Sequence, residues 1–199
     1  LSSTISTAAS NADITLTPHG TGSINVTVNS VSGEVIPGKI EGTNFTNSLI
    51  VGHSTTGTLS NSNRNVGIGI GAMDTITSGD DNVFIGYNAG TKNTTGTINT
   101  AIGSDAMFQN VTGRDNVAVG YQTLYNNTGN HNTGIGRMSG RNITSGSGNV
   151  TVGEVDVDSA TGDRQLKIAG YDGTTTTTWI SGDNTGKVSF PGNDGAGLS

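Results

Sequence analysis

Along the middle of the chain one order of residues keeps returning: Asn, then Val or Thr, then a variable uncharged residue, then Ile or Val, then Gly. The glycines are Gly69, Gly86, Gly103, Gly120, Gly136 and Gly153, in steps of seventeen residues with a single step of sixteen. Counting back one period reaches Gly52 behind Leu49-Ile50-Val51, which makes at least seven coils. A fixed period built from short alternating runs predicts stacked windings of backbone, an all-β parallel β-solenoid or β-roll. The residue before each glycine is β-branched, at Val51, Ile68, Ile85, Ile102, Val119, Ile135 and Val152. This column is expected to form the interior spine of the stack. The position two before each glycine points the opposite way in a strand and reads Ile50, Gly67, Phe84, Ala101, Ala118, Gly134 and Thr151. None of these is charged, so this second face is expected to be covered as well, by copies of the same chain around a three-fold axis.

Each coil divides into two halves. A tight corner follows the marked glycine, with a small residue three places on at Ala72, Ala89, Ala106, Thr123 and Ser139. The second half is polar and ends in a Ser/Thr-Gly turn at Gly79, Gly96, Gly113, Gly129 and Gly146. The sixteen-residue step is absorbed here, between Leu124 and Gly129. The recurring Asn65, Asn82, Asn99, Asn116, Asn132 and Asn149 are expected to be structural, bonding backbone groups of neighbouring coils and tolerating a left-handed conformation.

The repeats occupy about 46–157. Before them, in 1–45, Ile14-Thr15-Leu16-Thr17 and Ile24-Asn25-Val26-Thr27-Val28 alternate as a pair of short strands around a Pro18-His19-Gly20 turn. After them, in 158–199, Gln165–Ala169, Thr177–Ile180 and Gly186–Phe190 read as strands between Gly-Asp turns. No helical pattern runs ten residues. Leu1 is not expected to be a native start.

Composition sharpens this picture. The 199 residues are 31% hydrophobic and 5% aromatic, with 32 glycines, so one coil cannot bury enough to stand alone and stacking is obligatory. A formal charge of −6 with only nine Lys and Arg disfavours nucleic acid. Cysteine is absent, which removes disulfides and thiolate chemistry. No run of residues is apolar and long enough for a membrane-spanning helix, so membrane insertion is not expected.

Candidate chemistry is sparse. His19, His53 and His131 have no second ligand at metal spacing, no Gly-x-Ser-x-Gly elbow is present, and Gly67-Ile68-Gly69-Ile70-Gly71 is one turn of the repeat with no helix behind it. No cofactor is expected. Glu154, Asp156 and Asp158 alternate with Val155 and Val157. They read first as a charged cap on the stack, then as a calcium site, and last as paired catalytic carboxylates. Tyr87 and Tyr121 share the position after the glycine, and with Phe108 and Tyr125 they are candidates for stacking on a receptor saccharide or for packing between protomers. Trp179 is assigned to a three-fold core. Thr77, Thr94, Thr128 and Thr144 form the column that an ice-binding face would need, interrupted by Val111. Sequons at Asn44, Asn93, Asn110 and Asn142 arise by chance in so Asn- and Thr-rich a chain.

The runs Asn82-Val83-Phe84-Ile85-Gly86-Tyr87-Asn88-Ala89, Asn99 to Met107 and Asn116 to Leu124 resemble the repeats of bacteriophage tail-fibre and tail-spike proteins. They are also similar to head repeats of trimeric autotransporter adhesins, which form a trimeric left-handed β-roll with shorter coils. The segments Asn11–Gly22 and Trp179–Val188 resemble modules of phage fibres, and the terminal Ser199 resembles the residue left by self-cleavage in that family, although an arbitrary end explains it equally. The resemblance implies a homotrimeric structural fibre of a virion, on tail or capsid, touching other virion proteins and a host surface glycan or protein. A bacterial trimeric surface adhesin and a polysaccharide-depolymerising tail spike are the alternatives.

Overall fold

The computed structural model describes residues 38–42, for which the backbone alone is described, together with 44–52 and 56–191. The expectations for Ile14–Val28, His19, His53 and Ser199 lie outside the described residues. Among the described residues the fold is all-β, a parallel β-solenoid of about seven coils spaced about seventeen residues apart. Strands β1 (Gly38–Gly42) and β2 (Phe45–Val51) form an antiparallel pair at one end, and the two-residue β3 (Ser62–Asn63) pairs with β2 off the main path. The ladder then runs in parallel through β4 (Val66–Ile68), β5 (Val83–Ile85), β6 (Thr100–Ile102), β7 (Val117–Val119), β8 (Thr133–Ile135) and β9 (Val150–Val152). Beyond residue 157 it continues in register, because Leu166 and Ile168 of β10 (Leu166–Tyr171) pair with Val150 and Val152. Antiparallel β11 (Thr176–Gly182) and β12 (Val188–Ser189) close the far end.

Ile85, Ile102 and Val119 lie above one another on neighbouring parallel strands, as the period requires. Their facing is the reverse of the expectation. Ile68, Ile102 and Ile135 are 41%, 38% and 45% exposed, and Val51, Ile85, Val119 and Val152 are only partly buried. The interior spine is instead the other column, in which Ile50, Phe84, Ala101, Ala118 and Thr151 are fully buried. The recurring Asn decides the phase. It sits two residues before that spine and therefore shares its face. Turned inward, the Asn99 side-chain Nδ2 donates to Asn82 Oδ1 at 3.1 Å and across the coil to Gly113 O at 2.8 Å. Its backbone N–H donates to the same Asn82 Oδ1 at 3.0 Å. The pattern repeats at Asn82, Asn116 and Asn149, with Ser48 as the first rung and Gln165 as the last. An Asn facing solvent could not reach the closing-glycine carbonyl, so the ladder fixes the alternation.

The left-handed residue is also displaced from its expected place. It is the residue before the Asn that has positive φ: Arg64, Asp81, Ile98, Asp115 and His131, all between 55° and 58°.

Inside, the core is filled by pairs of complementary size. Gly67 lies against Met73, Phe84 against Gly90, and Ala101 and Ala118 occupy coils that contribute Met107 and Leu124. Two glycine columns permit the coil spacing. A Cβ on Gly69 would lie 2.4 Å from Gly86 O, and one on Gly96 would lie 2.5 Å from Gly113 O. The first column also has positive φ throughout, near +134° from Gly69 to Gly120, where L side chains are strained.

Candidate functional site

The outer face of the parallel sheet carries two adjacent columns. One is Leu49, Val66, Val83, Thr100, Val117, Thr133, Val150 and Leu166; the other is Val51, Ile68, Ile85, Ile102, Val119, Ile135, Val152 and Ile168. Except for two threonines every side chain is aliphatic, and no member is fully buried. At ~4.8 Å per strand and ~3.3 Å per residue, this stripe is about 34 Å long and about 10 Å wide. A contiguous apolar patch of a few hundred Å² is the size of the largest patch on a typical monomer, and such patches are often functional. Reading the sequence for a single apolar column missed it. The signal was present in the alternation of Val66 with Ile68 on one side of Gly67.

Sequence-designated aromatics divide into two kinds. Tyr87 and Tyr121 are 57% and 43% exposed, and the guanidinium of Arg137 lies 6.0 Å from the centre of the Tyr121 ring. Tyr125 instead stacks on Phe108 of the preceding coil, centroids 5.2 Å apart and planes 5° from parallel. Arg141 sits 5.5 Å from the Tyr125 ring and Lys92 sits 5.4 Å from the Phe108 ring. The result is a cation–ring–ring–cation column along the rod whose outer ring faces are occupied by charge. Tyr125 thus offers an edge, not a free face, to a saccharide.

Glu154, Asp156 and Asp158 do not converge. Glu154 pairs with Arg137, Asp156 Oδ1 accepts the Asn142 backbone N–H at 2.9 Å, and Asp158 meets Lys167 Nζ at 2.8 Å. Lys167 enters the interior opposite Thr151, is 9% exposed, and ends the apolar spine with a charge. Among the described residues no cluster of three carboxylate, imidazole or thiol groups is placed to hold a metal. His131 Nδ1 lies 3.8 Å from Asp115, on the column of residues that precede the Asn ladder. Trp179 is 56% exposed and its indole covers Gly170, where a Cβ would meet the ring at 2.5 Å.

The threonine column has a backbone task. Thr77, Thr94, Thr128 and Thr144 each donate their hydroxyl to a carbonyl of the following coil, at 3.0 to 3.2 Å. Those donors hold coils together rather than forming a free lattice for water. The sequon residues Asn93 and Asn110 are fully buried in a second amide ladder, Asn110 Nδ2 donating to Asn93 Oδ1 at 3.0 Å.

Two turn carboxylates are electrostatically distinct. Asp172 Oδ1 accepts from the N–H groups of Thr175 and Thr174 and from the Thr174 hydroxyl, all at 2.8 to 2.9 Å, which holds its carboxyl down at about 2. Asp81 is held below the usual carboxylate range by hydrogen bonding to the Arg64 guanidinium, which grips it with two bonds at 2.6 and 2.8 Å. Both groups brace structure at the surface.

Among the described residues no helix is long and apolar enough to cross a membrane. Compared with known proteins, the chain matches no family model, no curated protein and no solved structure.

Proposed function

We propose that this chain is a non-enzymatic structural segment of a fibrous appendage of a phage virion, assembled as a homotrimer through its outer aliphatic stripe and contributing to attachment at a host surface. The observation that carries the reading is the stripe itself. It is continuous over eight parallel strands and uncharged in a chain of net charge −6, so copies of the chain could meet along it without bringing like charges together. Covering it supplies the burial that a narrow stack of three-residue strands lacks. Coils of seventeen residues, with the resemblance of their sequences to phage fibre repeats, favour the virion and contact with other virion proteins over a bacterial trimeric surface adhesin. The separate engagements of Glu154, Asp156 and Asp158 disfavour a polysaccharide-depolymerising spike.

Sedimentation equilibrium at native concentration tests the assembly: the expected mass is three times the 20.1 kDa of the chain. Ile102→Lys with Ile135→Lys places charges on the stripe of every protomer and is expected to give monomers. A monomeric native chain refutes the assembly. Gold-labelled antibody against the chain should decorate appendages of the virion, and label on bacterial envelopes instead would favour the adhesin.

A further inference from the structure

The aliphatic stripe is bordered by two unlike columns. Where each strand begins stand the residues before the ladder asparagines, among them Arg64, Asp81, Asp115 and His131. Where each strand ends stand the residues after the marked glycine, among them Tyr87, Ser104, Tyr121, Arg137 and Glu154. All of these side chains are exposed or half-buried. We propose that neighbouring protomers of the trimer meet along these borders displaced by one coil, so that the beginning of each strand abuts the end of the strand one coil later in its neighbour.

A closed three-fold ring joins unlike surfaces, so the beginning border of one chain faces the ending border of the next. On a strand the two borders are six residues apart, about 20 Å. Three faces of that width enclose an axis about 6 Å from each sheet, close to the half-spacing of about 5 Å at which stacked sheets pack. The stripe then fills the centre and the borders meet at the corners.

The order of charge along each border selects the displacement. On the beginning border a carboxylate precedes a base, since Asp115 lies 3.8 Å from His131 of the following coil. On the ending border the order is reversed, since Arg137 pairs with Glu154 of the following coil. A displacement of one coil sets Asp115 against the neighbour's Arg137 and His131 against the neighbour's Glu154. The four groups then close a cycle in which donors and carboxylates alternate. The same displacement places Arg64 at the neighbour's Tyr87, a ring suited to a guanidinium, and Asp81 at the neighbour's Ser104 hydroxyl. Without displacement His131 faces Arg137, and Glu154 faces Gly148. Displacement the other way gains one ion pair, Arg164 with Glu154, but leaves Arg137 opposite Gly148 and presses the Asp81 carboxylate on the aliphatic Ile70. In the favoured arrangement the strands of three chains climb around the axis as one path, one coil of ~4.8 Å over about 20 Å, an inclination of about 14°.

The displacement rests on the trimer proposed above. The chain contains no cysteine, so paired cysteine substitutions read it directly. Within one chain the borders are about 20 Å apart, beyond the Cα separation of about 7 Å that a disulfide spans, and any disulfide between them therefore joins two chains. Asp115→Cys with Arg137→Cys, and independently Arg64→Cys with Tyr87→Cys, are expected to give on mild oxidation a covalent species of three times the chain mass in denaturing electrophoresis. Asp115→Cys with Tyr121→Cys reads the arrangement without displacement, and Asp115→Cys with Ser104→Cys the opposite one; both are expected to run as single chains. Cross-linking of either of these in preference to the first two pairs overturns the displacement and leaves the assembly standing. So does a trimeric mass of the native chain when neither of the first two pairs cross-links. A monomeric native chain overturns the assembly and the displacement together.

Discussion

Phe84 and Gly90 occupy one volume. A Cβ on Gly90 would lie 2.3 Å from both Cδ2 and Cε2 of the Phe84 ring, and Gly90 has φ of +57°. Gly90→Ala therefore combines overpacking, about 1–3 kcal/mol, with left-handed strain of about 1–2 kcal/mol. A loss of roughly 2–5 kcal/mol is expected in chemical denaturation. Adding Phe84→Leu to Gly90→Ala should recover part of the loss by vacating the ring's space. An unchanged midpoint for the single variant would disprove the shared volume.

The amide ladder predicts a large effect at a polar residue that is fully buried. Asn99 Oδ1 accepts from both the backbone N–H and the side chain of Asn116, while its own groups satisfy Asn82 Oδ1 and Gly113 O. Asn99→Leu leaves several buried polar groups without partners, each costing about 1–3 kcal/mol. The expected outcome is a loss of at least about 3 kcal/mol, exceeding that of Ile102→Ala on the outer face of a monomeric variant. Equal losses at the two positions would count against the ladder as the organiser of the interior.

This asymmetry explains what was legible in the sequence and what was not. The period, the two glycine columns and the parallel stacking follow from residues that only one geometry tolerates. A Cβ on Gly86 would strike Gly103, and no other residue type fits there. Which face of the three-residue strand points inward does not follow from hydrophobicity, because period-two alternation is symmetric about the strand and here the larger aliphatics lie outside. The deciding signal was the parity of Asn82 with Phe84, two residues apart and hence on one face, together with a glycine carbonyl waiting across the coil. Among the proposed site residues, exposure of Tyr87 and Tyr121 is as the coil position suggests. Phe108, Tyr125 and Arg141 each stand five residues after the marked glycine of their coil, so their column follows from the coil position once the sixteen-residue step is counted.

That short coil leaves a defect which an insertion should heal. Asn110 Oδ1 is buried without a hydrogen-bond partner. In the next coil Asn127, which would serve it, turns its Nδ2 to Gly129 O at 3.2 Å and receives Asn132 Nδ2 at 2.8 Å on its Oδ1. One residue is missing between Asn127 and Gly129 relative to the Asn93-Thr94-Thr95-Gly96 turn. Inserting Thr after Thr128 restores the longer turn and is expected to stabilise the chain by about 1 kcal/mol or more. Denaturant midpoints of the two chains decide it; a destabilised insertion variant rules the explanation out.

Ile98 stands at a strained place. Its φ is +57° on a column otherwise occupied by Arg64, Asp81, Asp115, His131 and Gly148, and the side chain is 55% exposed. A β-branched residue there is a conformational outlier that burial does not offset. Ile98→Asn should raise stability by roughly 1 kcal/mol through relief of left-handed strain, read as a higher thermal midpoint. A lower midpoint in the assembled protein would instead mean that Ile98 packs against a neighbouring chain.

The turn between β10 and β11 supplies a pH-dependent element. The Asp172 carboxyl is held at about 2 against an ordinary 3.8, because two backbone N–H groups and one hydroxyl donate to its ionised form. A carboxyl depressed in the folded state contributes its stabilisation in full above its unfolded value and loses it as pH falls through the folded one. The turn should therefore keep its protection above about pH 4 and lose it progressively between 3.8 and about 2. Amide exchange at Thr174 and Thr175, whose N–H groups are the donors, follows this directly. The protection of both, taken against the intrinsic rate at each pH, should fall across that window in the native chain. In Asp172→Ala they should exchange fast at every pH, while the interior Asn116 amide, bonded to Asn99 Oδ1 instead, keeps its protection. Acceleration of Asn116 together with Thr174 would assign the acid transition to the whole solenoid rather than to this turn.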